Sequence, residues 1–150
     1  MNKSFISLGL MSGTSMDGVD ASIIKSNGLD EIRVILNEYR PYNNNIQKNL
    51  YALRDKINVS TDLKKYLGEI KVIEKEITLF HANLTNEIIK NTDAEIDLIG
   101  FHGQTIFHNA FEKISKQIGD GQLLSQLIKK KVIYDFRQND LKNGGNGAPL

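Results

Sequence analysis

A chain of 150 residues is about the length of one ordinary domain and can bury one sizeable hydrophobic core. With 40% hydrophobic and 25% charged residues, its composition excludes collagen-like, low-complexity and intrinsically disordered classes. Nineteen basic against 18 acidic side chains leave a net charge of +1, which gives no electrostatic footprint for nucleic acid or an anionic membrane, and the lack of cysteine excludes a disulfide scaffold and a thiolate metal site. A reducing cytosol is the expected compartment. The apolar residues Phe5, Ile6, Leu8, Leu10 and Met11 make a poor secretion signal, because Ser7 and Gly9 interrupt them and Thr14, Ser15 and Asp17 follow. No other stretch approaches the roughly 18 apolar residues of a membrane span.

From Lys3 to Leu10, Ile6, Leu8 and Leu10 share one face, a strand alternation that ends in the polar turn Met11 to Gly18. Alternation resumes with Val19, Ala21 and Ile23 opposite Asp20, Ser22 and Ile24. After the Asn27-Gly28 turn a third strand carries Ile32, Val34 and Leu36. The first 42 residues therefore predict an antiparallel meander. Asn45 is the expected cap of a helix with Ile46, Leu50, Leu53 and Ile57 on one face, and Ser60 or Thr61 caps a longer one. The second helix repeats Leu63, Leu67, Ile70, Ile73, Ile77, Phe80, Leu84 and Ile88 at three- and four-residue steps, a core-packing stripe that Gly68 bends. A strand from Ile96 is expected to end at His102-Gly103-Gln104-Thr105. Gly119-Asp120-Gly121 leads a small helix, Lys131 to Phe136 reads as a strand, and Arg137 to Leu150 as a polar glycine-containing loop. This succession predicts a mixed α/β layer architecture.

Chemistry concentrates between Gly13 and Asp20, where two glycines, two hydroxyls and two carboxylates lie between strands. Backbone amides there can approach a phosphate while the hydroxyls donate to its oxygens. A Walker loop would need Gly-Lys-Ser/Thr and a following helix, and neither is present. A phosphate-holding hairpin between the first two strands is instead the device of actin-like sugar kinases and chaperone ATPases, in which Asp17 would lie near a metal bound beside the phosphates. The same residue types also simply make turns. Gly-Thr-Ser-Met together with His102-Gly103-Gln104-Thr105 echoes subtilisin-like proteases. That family runs Asp, His, Ser along the chain, whereas Ser15 precedes His102, and a strand follows Ser15 where the protease needs a helix.

His102, Gln104 and Thr105 fall where open α/β sheets place ligand-contacting groups, and His and Gln both donate and accept. Asp135, Arg137 and Asp140 repeat the pattern of charged groups leaving a strand, with a surface ion pair as the plain reading. His81 and His108 have no metal-ligand spacing.

Three segments taken together resemble the anhydro-N-acetylmuramic acid kinase family: Gly9-Leu10-Met11-Ser12-Gly13-Thr14-Ser15-Met16-Asp17-Gly18-Val19-Asp20, Gly100-Phe101-His102-Gly103-Gln104-Thr105, and Asp135-Phe136-Arg137-Gln138-Asn139-Asp140 leading into Gly144 to Leu150. Gln117-Ile118-Gly119-Asp120 adds a weaker match. The resemblance implies the actin-like ATPase fold and a reaction in which ATP and water open the anhydro bridge of a cell-wall sugar and phosphorylate its 6-hydroxyl, giving N-acetylmuramic acid 6-phosphate. It implies ATP contacts by Gly13, Thr14, Ser15, Met16, Asp17, Gly18, Val19 and Asp20, Mg²⁺ held by Asp17 through water, and sugar contacts by His102, Gln104, Arg137 and Asp140. It also implies a cytoplasmic homodimer acting in peptidoglycan recycling, with no nucleic-acid or membrane partner.

In the family, the aspartate that activates water lies in an Asp-Thr-Gly-Pro motif beyond the Gly-Ala-Pro-Leu segment. No catalytic base is therefore expected in residues 1–150, which read as an N-terminal lobe whose second lobe is missing. A non-catalytic nucleotide- or sugar-binding module is the alternative. Phe101 is a small departure from the family pattern, and so is Ala110-Phe111-Glu112, where a proline commonly appears.

Overall fold

The computed structural model describes residues 3–148, so Pro149 and Leu150 of the last motif lie outside the described residues. The chain opens with β1 (Phe5–Ser12), β2 (Gly18–Ser26) and β3 (Ile32–Pro41), paired antiparallel in sequence order as the alternation predicts. Leu8, Leu10, Val19, Ala21 and Ile23 face the core, while Gly9, Met11 and Asp20 face outward. On β3 the expected alternation is weak, with Ile32 and Val34 exposed. This is an edge strand, and its register slips by one residue opposite Ile23 and Ile24.

Helix α1 (Asn44–Arg54) is capped by Asn43 rather than Asn45: its side chain accepts from the Ile46 amide at 2.9 Å. Three consecutive asparagines offer three possible caps, and the one chosen lets Ile46, Leu50 and Leu53 turn inward together. The expected long helix is divided into α2 (Asp62–Lys65) and α3 (Leu67–Asn91). The break lies at Tyr66, with φ −103° and ψ 19°, not at Gly68. The Asp62 carboxylate accepts from the amides of Asn58 and Val59, fixing the short helix before that break. Across 25 residues, α3 buries Ile70, Ile73, Ile77, Leu84 and Ile88 as the stripe requires, and each such side chain stabilises by about 1.5–3 kcal/mol. Leu67 is exposed and Phe80 half-buried, so the stripe is narrower than its apolar letters suggest.

Strand β4 (Leu98–Asn109) runs parallel to β1 and does not end at His102. After Gln104 it continues antiparallel to β5 (Ile114–Ile118), a strand absent from the sequence expectation. Helix α4 (Gly121–Ile128) starts as expected, with Asp120 accepting from the Leu123 amide at 2.9 Å. Strand β6 (Val132–Tyr134) pairs parallel with the first half of β4. The stretch expected to be a loop begins instead with α5 (Phe136–Lys142), entered through Asp135 at φ 60°. The sheet order is β3-β2-β1-β4-β5, with β6 also on β4, a mixed sheet placing β1 at its centre. Among the described residues no helix is long and apolar enough to cross a membrane.

Gly119 shows how tightly the first half of β4 is packed. Its φ is +135°, and an added Cβ would lie 2.8 Å from Phe101 Cε1, whereas Gly28 at φ +76° has open space around it. Gly119→Ala is expected to destabilise by about 2 kcal/mol or more, and Gly28→Ala by about 1 kcal/mol, from backbone strain alone. Equal midpoint shifts for the two variants in chemical denaturation would show that Phe101 yields.

Candidate functional site

Residues 13–17 connect β1 to β2 as a tight turn in which the Met16 amide donates to the Gly13 carbonyl at 3.2 Å. Met16 has φ 58°, a costly conformation for a residue with a side chain, and is held there because that side chain is 2% exposed and part of the core. Three carbonyls of the turn are engaged by the protein. Gln104 Nε2 donates to Gly13 O at 2.7 Å, Tyr51 Oη to Ser15 O at 3.1 Å, and the Tyr42 amide to Asp17 O at 2.8 Å. Among the described residues the amides of Thr14 and Ser15 have no such partner, and both residues are exposed. Carbonyls consumed by the protein and amides left unpaired are the polarity an anion needs.

The eight residues read from the sequence as nucleotide contacts divide by burial. Thr14, Ser15, Asp17 and Asp20 are exposed and Gly13 is half-buried. Met16, Gly18 and Val19 are buried, so Met16 and Val19 offer only backbone. Gly18 has a packing reason of its own, since a Cβ there would lie 2.8 Å from the Pro41 Cα of β3. The Ser15 hydroxyl donates to the Asp17 carboxylate and, with a weaker contribution from Tyr39, holds it below the usual carboxylate range. Asp17 therefore presents an ionised, exposed hard-oxygen group beside the free amides. Among the described residues no three His, Asp or Glu side chains converge on one point. One carboxylate suits Mg²⁺, which takes the rest of its shell from waters and phosphate oxygens, so the residues present fit that ion.

Gln104 is fully buried, and its bond to Gly13 makes it the link between β4 and the turn; its Oε1 has no partner. His102, two residues earlier, lies beside a cleft of about 320 Å³ that is also lined by Lys116, Gln117, Tyr134, Asp135 and Gln138. Its Nδ1 contacts Gly103 O at 2.9 Å, and Arg137 Nε donates to its Nε2 at 3.0 Å. Because a carbonyl only accepts and an arginine only donates, the ring is neutral with its hydrogen on Nδ1. Arg137 thus meets a histidine rather than the carboxylate that a surface ion pair would supply. Asp140 lies elsewhere: its carboxylate accepts from the Gly147 amide at 2.7 Å and pins the glycine-rich segment to α5. Three of the four expected sugar-contact residues therefore stand in hydrogen-bonded pairs, His102 with Arg137 and Gln104 with the turn, while Asp140 orders backbone.

Lys116 and Gln117 on β5 and Gln138 on α5 are not contact candidates in the sequence, where neither element is evident, although Gln117 and Gln138 fall within the resembling motifs. The available signal was Ile114 and Ile118 flanking a polar stretch just before Gly119. Tyr42 and His81 were missed as well, although a histidine inside an apolar stripe marks a polar contact within a core.

Burial holds His102 below the ordinary histidine value, with a smaller push from Arg137. An unfolded histidine near 6.5 binds a proton more readily, so the Arg137–His102 bond is fully present above about pH 6.5 and is lost as pH falls through the lowered value. Nitrogen-detected NMR should show the Nδ1–H tautomer at pH 7 and protonation below pH 6.5. Titration at or above 6.5 would contradict the pairing.

A family model described as anhydro-N-acetylmuramic acid kinase matches residues 5–150. A curated protein of that name from Pelagibacter ubique is 60% identical over 150 residues, covering 100% of this chain and 40% of the relative. Proteins of the same name from Agrobacterium fabrum and Rhizobium etli are 36% and 37% identical over 146 residues, covering 95% of this chain and 39% and 40% of the relatives. The chain thus spans about 40% of the length of these relatives. On the match over almost its whole length, the chain belongs to the anhydro-N-acetylmuramic acid kinase family.

Proposed function

We propose that residues 1–150 form the N-terminal lobe of an actin-like kinase that uses ATP and Mg²⁺ to open 1,6-anhydro-N-acetylmuramic acid with water and phosphorylate it to N-acetylmuramic acid 6-phosphate. The observation that carries this reading is the turn 13–17, whose engaged carbonyls and unpaired Thr14 and Ser15 amides stand beside the ionised Asp17. Phosphoryl transfer needs mainly positioning and charge stabilisation, and such a turn supplies both to a nucleotide's terminal phosphates. Mg²⁺, when bound, would neutralise phosphate charge, and Asp17 would hold it through water. Asp20 projects from β2 onto the outward sheet face beside the turn.

The polar cleft at His102 and Arg137 is the proposed sugar site. Arg137 fixes the His102 ring, Lys116 and Gln138 add donors, and Gln117, whose amide nitrogen donates to Thr105 and Ser115, adds an acceptor for hydroxyl and amide groups. Gln104 would contribute through the turn it holds and Asp140 through the glycine-rich segment it orders. Opening the anhydro bridge requires a base that activates water on the face opposite the departing oxygen. Asp140 is engaged with backbone and Asp17 with Ser15. Following the family resemblance, we assign the base to the larger part of the kinase, outside residues 1–150. The proposed setting is the cytoplasm, in peptidoglycan recycling, with the whole protein a homodimer.

Two variants of the whole protein test the assignment. Asp17→Asn keeps size but removes charge, and should lower turnover more than sugar binding. Turnover within about a factor of two of the parent would refute the metal role. His102→Ala and Arg137→Ala should each weaken the anhydro sugar in calorimetric titration while leaving nucleotide affinity nearly intact. Equal weakening of both ligands would mean a structural role instead.

A further inference from the structure

Beneath the turn lies a buried polar chain that the proposed chemistry does not use. The Ser12 hydroxyl lies 2.8 Å from Tyr42 Oη and 3.3 Å from His81 Nε2, while His81 Nδ1 lies 2.8 Å from the Ile77 carbonyl one helical turn back on α3. Ser12 and His81 are fully buried, and Tyr42 is 6% exposed. The direction of every bond follows from one carbonyl. Ile77 O can only accept, so Nδ1 carries the hydrogen, and full burial keeps the ring neutral by pulling its pKa down to about 4. Nε2 is then an acceptor, Ser12 donates to it, and Tyr42 donates to Ser12. Burial likewise raises the Tyr42 phenol, which stays protonated. Edge contacts of Tyr42 with Phe80 and of His81 with Phe101, each at 4.9 Å between centroids, fix both rings.

We propose that Tyr42, Ser12 and His81 are positioning residues that set the phosphate-facing geometry of the turn 13–17, an inference that rests on reading that turn as the nucleotide loop. Tyr42 reaches both ends of the turn. Its side chain bonds Ser12, the last residue before it, and its amide bonds the carbonyl of Asp17, the last residue within it. The span between those ends decides whether the Thr14 and Ser15 amides share one direction, and His81 ties the Ser12 end to the longest helix of the fold. A chain made only for stability would not need to meet both ends of an exposed loop through one residue.

Tyr42→Phe keeps the ring and the amide and removes only the hydroxyl. In the whole protein it should raise the ATP dissociation constant about fivefold or more, the effect of losing one net hydrogen bond, with sugar affinity within about twofold. Tyr42→Phe/Ser12→Ala should be no worse than the poorer single variant, because the chain acts as one unit. His81→Gln, whose side-chain carbonyl can still accept from Ser12, should retain ATP affinity better than His81→Leu; if His81→Leu fails to fold, Tyr42→Phe still decides. ATP affinity within twofold of the parent in Tyr42→Phe, or equal weakening of ATP and sugar, overturns the proposal. Asp17→Asn separates the two levels of inference. If it impairs turnover while Tyr42→Phe does nothing, only the positioning role falls; if neither variant has an effect, the loop reading falls with it.

Discussion

The turn 13–17 can offer amides outward only because three of its carbonyls are consumed by the protein, and much of the surrounding architecture serves that constraint. The three donors come from Gln104 on β4, Tyr51 on α1 and the amide of Tyr42 just after β3. None is local in sequence, so the turn exists in this form only after the meander, the first helix and the parallel strand have assembled. Met16 adds the opposing cost. A left-handed methionine is unfavourable by about 1–3 kcal/mol, and burying its side chain in the core offsets that strain.

Helix α3 carries Thr78, His81 and Thr85 into the interior; Thr78 and His81 have defined partners across the fold, whereas the Thr85 hydroxyl has none among the described residues. Thr78 Oγ1 accepts from the Asp120 amide at 2.9 Å while donating to the Glu74 carbonyl, and Glu74 reaches Lys116 and the Gly119 amide. Below the turn, His81 does the same for Ser12. Buried polar groups cost stability unless paired, so these contacts specify how α3 is rotated against the sheet rather than adding much net stability. One helix face thereby registers both the turn 13–17 and the β5–α4 junction beside the cleft.

The sequence was most informative where periodicity and burial coincide. Alternation on β1 and β2 and the isoleucine steps of α3 each report a single buried face, and the structure follows them closely. Legibility failed where local chemistry offered equal choices. Asn43, Asn44 and Asn45 are interchangeable as caps until the tertiary position of Ile46 selects one. The break at Tyr66 has no glycine or proline to announce it. Helix α5 was hidden because its entry is a left-handed Asp135 and its seven residues bury only Leu141, leaving no stripe to detect. Strand β5 was hidden because its pairing with β4 shifts register between Thr105 and Phe107, where polar Gln117 and Lys116 line the cleft. At the site, the turn and His102 were legible by residue type as polar candidates, but not that Arg137 bonds His102 instead of a carboxylate, that Gln104 is buried or that Asp140 binds backbone.

Gln104 also decides how far the two halves of the proposed site are independent. It is fully buried, its amide nitrogen holds Gly13, and it stands two residues from His102 on the same strand. A shift of β4 that re-aims His102 in the cleft must move Gly13 or break a buried hydrogen bond, at a cost of about 1–3 kcal/mol for the group left unpaired. The cleft at His102 and the turn 13–17 are thus joined through a single strand by a short, buried connection.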